Sequence, residues 1–361
     1  MLAETTEQAE NPATLVLTAP TFDQNKLLIY RELYYNGFSS VTAARDLTTG
    51  TAVALKKIDY KYFRNSPFPI IRLQRRFNRK LRAQSAKIRA LSHISVLKLI
   101  DFVVEPTKVT IVTEMCMFGD LFNWMLQQSQ LRVRDISLVF QYLLEAIRYL
   151  HSENFIHGFL SPTHILFHSM SPQSVSIMPD LSVRNELLHL TCLALPVVDC
   201  WAPECLKQIK GLQFTVKNTE HSVADGIEET SQIELSKPMD MWSVACIMHI
   251  ALTGLPPFSS DSLEEMINML DQNAGQLRHP MFKTLSLNLC NQLCRWMELN
   301  PEARPSAGQS FEGHWFDDEQ VRTDRRNLLS IIEYDLLRTC KRYRSRGRQM
   351  FESIFACNSV V

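Results

Sequence analysis

Positive charge is the densest local chemistry in this sequence. From Tyr60 to Ile100 there are eleven Lys or Arg residues and no acid. Arg72, Arg75, Arg76, Arg79 and Arg82 fall within about three helical turns. Guanidinium groups at that density suit bidentate pairing with carboxylates. The stretch reads either as a docking surface for an acidic protein segment, with nucleic acid the weaker fit, or as a solvated helix face. Carboxylate and metal chemistry is sparser. Asp180, in Pro179-Asp180-Leu181-Ser182, is a poor Mg²⁺ site unless phosphate groups complete it; the other reading is an exposed turn residue after proline. The nine cysteines form no C-x-x-C pair, and no zinc spacing occurs. His249 lies in an apolar run and reads as a core histidine. Between Phe155 and Leu166 the polar side chains His157, Ser161 and His164 flank Phe159, which can neither accept a proton nor ligate a metal.

The elements that must position these residues follow from the hydrophobic pattern. The chain has 361 residues, 45% hydrophobic and 21% charged, enough for a large core in a two-lobed unit with tails. Zero net charge predicts no general attraction to nucleic acid or membrane. The odd cysteine count argues for reduced thiols and a cytoplasmic or nuclear setting. No secretory leader is recognisable at the acidic start, and no run of about eighteen apolar residues predicts a membrane span. Alternation predicts strands over Leu27–Leu33, Phe38–Arg45 and Thr51–Ile58, then near Lys98–Val104 and Lys108–Thr113. Leu73, Phe77, Leu81, Ile88 and Leu91 predict a helix between them. From Asp120 the periodicity is helical: Leu121–Gln128, Val133–Glu153 and a buried central helix over Pro238–Gly254. Residues 1–25 are expected to be a flexible arm and 26–317 the folded unit. Within that unit 211–236 is expected to be a mobile polar insert. Residues 318–361 form a basic amphipathic tail, with Leu328, Leu329, Ile331, Ile332, Leu336 and Leu337 on one helix. That tail reads either as a docking or membrane-surface helix or as packed on the body of the protein.

Several motifs occur in a telling order. They are Val53-Ala54-Leu55-Lys56, Thr113-Glu114-Met115-Cys116, Gly119-Asp120-Leu121, Ala202-Pro203-Glu204, Asp240-Met241-Trp242-Ser243, Asn300-Pro301-Glu302-Ala303-Arg304-Pro305 and Gly313-His314-Trp315-Phe316. Over about residues 26–317 the chain resembles the eukaryotic protein-kinase superfamily. The resemblance implies an α+β, bilobal protein-kinase-like fold: a small antiparallel sheet lobe with one main helix over 26–114, and a larger, mostly helical lobe over 115–317. It implies that Lys56 is the lysine that contacts nucleotide phosphates and Asp180 the metal carboxylate. Thr113 and Met115 fall at the gatekeeper and hinge, and Val41, Ala54 and Leu166 in one apolar column. Ile88, Leu99, His157 and Leu181 match the other column. Glu204 and Arg304 match a buried pair that fixes the lower lobe, and Asp240 a cap on catalytic-loop N–H groups.

The same resemblance shows what is missing. Where the family reads H-R-D-L-K-P-E-N-I-L, this chain has His157-Gly158-Phe159-Leu160-Ser161-Pro162-Thr163-His164-Ile165-Leu166. Phe159 replaces the base, His164 the metal-binding Asn and Ser161 the Lys. Tyr34, Asn36 and Ser39 take the places of phosphate-loop glycines. Tyr34 either fills the cleft or packs on the sheet. Gln84 stands where the helix Glu should pair with Lys56, and Asp199 is the nearest spare carboxylate. The resemblance therefore implies a catalytically inactive member, similar to Tribbles and STRAD-type pseudokinases, that scaffolds or allosterically controls a signalling partner. Active kinases and ubiquitin ligases are the implied partner classes. No catalytic residue and no resident cofactor are expected, with ATP and Mg²⁺ bound weakly at most. The alternative is a divergent Ser/Thr kinase with residual ATP binding and weak phosphotransfer.

Overall fold

Alternating β-branched and aromatic residues build the first lobe. The computed structural model describes residues 26–35, 39–60, 70–179, 199–218, 233–273 and 275–356, with backbone alone at 39, 70–77, 80, 212–218, 273 and 346–356. Strands β1 (Leu27–Tyr35), β2 (Ser39–Asp46), β3 (Ala52–Asp59), β4 (Leu99–Val104) and β5 (Lys108–Glu114) make one antiparallel sheet in the order β1-β2-β3-β5-β4. Side chains alternate across each strand. Val53 and Leu55 of β3 therefore cluster with Ala44 and Val112 on one face. Ala54, Lys56 and Ile58 take the opposite face, where Ile58, Val109 and Ile111 join the main core. Helix α1 (Ile70–Ala90) begins slightly before the apolar spacing predicts, and Leu81 and Ile88 anchor it. Near its end Arg89 pairs with Asp101 and lies over the Phe102 ring at 5.5 Å. One side chain of the basic stretch is thus used inside the lobe.

Past Glu114 the chain becomes helical. Helix α2 (Leu121–Leu126) starts at Asp120, whose carboxylate accepts from the Asn123 N–H at 2.9 Å. Helix α3 (Val133–Ser152) buries Ile136, Val139, Phe140, Leu143, Ile147 and Leu150 in one stripe. The hairpin β6 (Ile165–Phe167) and β7 (Val175–Ile177) follows. Then come α4 (Pro203–Asn218), α5 (Lys237–Thr253), α6 (Leu263–Asn273), α7 (Leu287–Trp296), α8 (Glu319–Thr323) and α9 (Leu329–Ala356). Every residue of α5 from Met239 to Thr253 is buried, which is why its sequence lacks a polar face. His249 sits there as a neutral core residue: it hydrogen-bonds the Leu255 carbonyl at 2.8 Å, and burial lowers its pKa to about 4.

The insert differs from the pattern-based expectation, and the tail takes one of its two readings, packing on the body of the protein. Residues 211–218 continue α4 rather than opening a loop, and 219–232 lie outside the described residues, as does the arm 1–25. The far end of the insert is fastened. Ile233 is buried, and the Glu234 N–H donates to the Gln208 side chain at 2.8 Å. In the tail, Leu329, Ile332, Leu336 and Cys340 form the buried stripe, while Ile331 and Leu337 are 54% and 40% exposed. Tyr343 meets the Phe122 ring at 5.5 Å, and its hydroxyl lies 3.1 Å from Cys200 Sγ. Thr339 donates to the Gly254 carbonyl at 2.6 Å. Gly254 ends α5 at φ +77°, and a Cβ there would come within 2.8 Å of the Ile332 carbonyl oxygen. The first half of α9 is therefore docked on the helical lobe through the Leu329–Cys340 stripe.

Candidate functional site

Cross-strand register assembles the roof of the site. Residues directly opposite each other in an antiparallel sheet share a face. Tyr34 pairs with Val41, Val41 with Lys56 and Lys56 with Ile111, forming one row. The next row contains Ala43, Ala54 and Thr113. The sheet thus places Tyr34, Val41, Ala54, Lys56 and Thr113 on a single face. Tyr34 keeps 38% of its surface exposed there, so it is not part of the packed core. Asn36, at the turn between β1 and β2, lies outside the described residues, and Ser39 is described by its backbone alone.

The floor comes from β6. Ile165 and Phe167 are buried, so alternation turns Leu166 the other way, toward the roof. Backbone bonds tie this strand to the segment after Met115: Phe118 N–H donates to Phe167 O and Phe167 N–H to Gly119 O, both at 3.0 Å. Cys116 is buried at the same place, with its thiol pushed up to about 12 by burial, so it is not a nucleophile at neutral pH. Gln84 projects from α1 with its Oε1 buried and accepting from no group among the described residues. Asp180 and Leu181 lie outside the described residues. Among the described residues no three His, Cys, Asp or Glu side chains converge in a metal-binding group.

The loop between α3 and β6 is held from beneath by one buried carboxylate. Asp240 Oδ2 accepts from His151 Nε2 at 2.8 Å and from the His157 N–H at 3.0 Å; Oδ1 accepts from the Gly158 N–H at 2.6 Å. The His157 ring then closes the loop on itself. Its Nδ1 accepts from the Phe159 N–H at 3.3 Å, leaving Nε2–H to donate to the Met178 carbonyl at 3.1 Å. Ser161 Oγ lies 2.9 Å from both Thr163 Oγ1 and His164 Nδ1, and the His164 ring stands edge-on to His157 at 4.9 Å. Phe159 is wholly buried and meets the Trp201 ring edge-on at 5.2 Å. The polar side chains of this loop thus contact one another, and its middle is an aromatic plug.

Gly158 is a residue whose importance the linear pattern does not show. Its φ is +76°, and a Cβ would approach Leu235 Cδ2 to 2.5 Å. Glycine at this position is the available signal, since a side chain rarely adopts that backbone conformation. Gly158→Ala is expected to cost about 1–3 kcal/mol in a urea melt. An unchanged unfolding midpoint would show that the loop relaxes without strain.

Lower down, Arg304 is wholly buried. Its Nη1 and Nη2 donate to the two oxygens of Glu204 at 2.6 and 2.8 Å. The remaining donors reach the carbonyls of Glu298, Pro238 and Leu299 at 2.7, 3.1 and 3.3 Å. The guanidinium also lies over the Trp242 ring at 5.1 Å. All five N–H groups are used. Arg72, Arg75, Arg76 and Arg79 fall on α1, where Arg79 is exposed and the other three are described by their backbone alone.

This arrangement has clear counterparts. A model of the protein kinase domain matches residues 35–316. The chain is 24% identical over 304 residues to serine/threonine-protein kinase 33 of Mus musculus, covering 84% of this chain and 57% of that protein. It is 26% identical over 291 residues to CBL-interacting protein kinase 24 of Oryza sativa subsp. japonica, covering 80% and 56%. It is 24% identical over 292 residues to the CaM kinase-like vesicle-associated protein of Homo sapiens, covering 77% and 50%. The crystal structure of Rad53 1-466 in complex with AMP-PNP superposes with a TM-score of 0.58 at 20% identity, covering 81% of this chain and 65% of that one. This likeness speaks for the bilobal α+β fold. The chain spans about half the length of the curated relatives it matches.

Proposed function

We propose, from the premise that this chain belongs to the protein kinase domain family, that it acts as a catalytically inactive scaffold or allosteric regulator of a signalling partner. The observation that carries this reading is Phe159. A wholly buried phenyl ring occupies the place of the catalytic base and packs on Trp201. General-base catalysis is worth roughly 10²–10⁴-fold. His164, at the place of a metal ligand, shares a hydrogen bond with Ser161. Positioning and metal clamping supply most of the rest of phosphoryl transfer. Val41, Ala54 and Leu166 suit an adenine ring and Lys56 a phosphate, whereas Phe159 and His164 do not suit Mg²⁺. Partner binding in a cytoplasmic or nuclear setting, through the basic side of α1, belongs to the same proposal. The partner classes are an active kinase or a ubiquitin ligase.

The second reading is a divergent Ser/Thr kinase with weak phosphotransfer. The relatives named as serine/threonine kinases and the presence of Lys56 favour it. Radiolabelled ATP with Mg²⁺ separates the two. The expected result is no incorporation into the protein or generic substrates above a Lys56→Ala control. Incorporation that Lys56→Ala removes would establish the second reading instead.

A further inference from the structure

We propose that the helical lobe carries a receptor for a phosphorylated segment of a partner protein, in a cavity walled by arginines. The cavity, about 260 Å³, is lined by Arg132, Arg134, Arg322, Asp324 and Arg325. It forms where the start of α3 meets the end of α8. Charge there is poorly compensated. Arg322 pairs with Asp317 at 2.6 Å, and Asp324 is taken by Arg326, which donates to both its oxygens. The Arg132 guanidinium donates only to the neutral Gln130 side chain, and Asp135 is engaged by the Arg132 backbone N–H. Among the described residues, the guanidinium groups of Arg132, Arg134 and Arg325 therefore have no carboxylate partner. The segments that carry the walls are also tied together. Leu131 and Leu328 are wholly buried. Leu328 N–H donates to Leu131 O at 2.6 Å, and Leu131 N–H to Asn327 Oδ1 at 3.0 Å. The arginines thus flank two segments joined by hydrogen bonds.

A single peptide carboxylate neutralises one guanidinium. A phosphate monoester brings about −1.5 to −2 charges and three acceptor oxygens, which matches several converging guanidinium forks better. The cavity lies apart from the cleft between the lobes, so the proposal stands whether or not the cleft transfers phosphate.

The test uses the full chain and an immobilised peptide library with one central phosphoserine between randomised flanks, beside the same library carrying serine. The expected result is retention on the phosphoserine library alone. Arg134→Glu with Arg325→Glu should weaken it by about tenfold or more, since each loses a charge-assisted hydrogen bond. Arg134→Gln with Arg325→Gln should show the same direction, and melting curves would establish that both variants remain folded. Equal retention on the serine library would overturn the proposal, as would undiminished binding by the folded variants. Stronger capture by phosphatidylcholine vesicles containing phosphatidylinositol bisphosphate would overturn it in favour of a membrane surface.

Discussion

Phe159→Asp is expected to unfold the protein rather than to restore chemistry. The phenyl ring is wholly buried against Trp201. Losing a buried ring costs about 3–5 kcal/mol. Burying a carboxylate in its place adds several more, because no cation stands beside Phe159 among its described contacts. Domains of this kind are stable by about 5–15 kcal/mol in total. The variant should therefore be insoluble, or melt lower by roughly 10 °C or more. Phe159→Leu, which keeps an apolar group of similar bulk, should lose far less. Equal melting temperatures for wild type and Phe159→Asp would mean that the ring is not packed as described. Phosphate incorporation by a soluble Phe159→Asp protein would show that the remaining machinery is intact.

Arg304→Ala should be nearly as damaging, although no chemistry depends on it. The substitution strands Glu204, which is 21% exposed, and leaves three backbone carbonyls without their donor. Removing one member of a buried pair costs roughly 3–5 kcal/mol. Arg304→Lys should not rescue the loss, because an ammonium cannot reach two carboxylate oxygens and three carbonyls in one plane. Chemical denaturation of the purified variants, read by tryptophan fluorescence, checks both statements. A wild-type midpoint for Arg304→Ala would contradict the described network.

What the sequence reveals and what it hides have physical causes. Strands and long helices are legible because their periods, two and 3.6 residues, repeat over many positions. Thus the helix at Val133–Ser152 and the buried one at Lys237–Thr253 stand close to their expected limits. Lys56 and Glu204 are marked by short ordered motifs. Other features depend on tertiary closure. The link from His151 to Asp240 joins residues 89 apart in sequence. The arginine cavity brings together residues near 132 and 324. The docked face of α9 is ambiguous in the sequence because its stripe looks the same packed on this protein or on a partner. One end of the expected polar insert is shorter than its pattern suggests for a related reason: Ile233 and the bond from Glu234 to Gln208 fix it through contacts no local pattern encodes.

The docking of α9 moves the limit of the folding unit. The motif pattern ends near Trp315 and Phe316, and the matched family domain at 316. Tertiary contacts run on at least to Tyr343 and Arg344, which reach Cys200 and Asn123. A polypeptide stopped at the motif boundary would uncover the surfaces that Leu328, Ile332, Leu336 and Cys340 now seal, including the end of α5. Exposed apolar surface of that kind favours self-association. For this chain the span to express, to shorten or to fuse is set by buried contacts and not by where its homology fades.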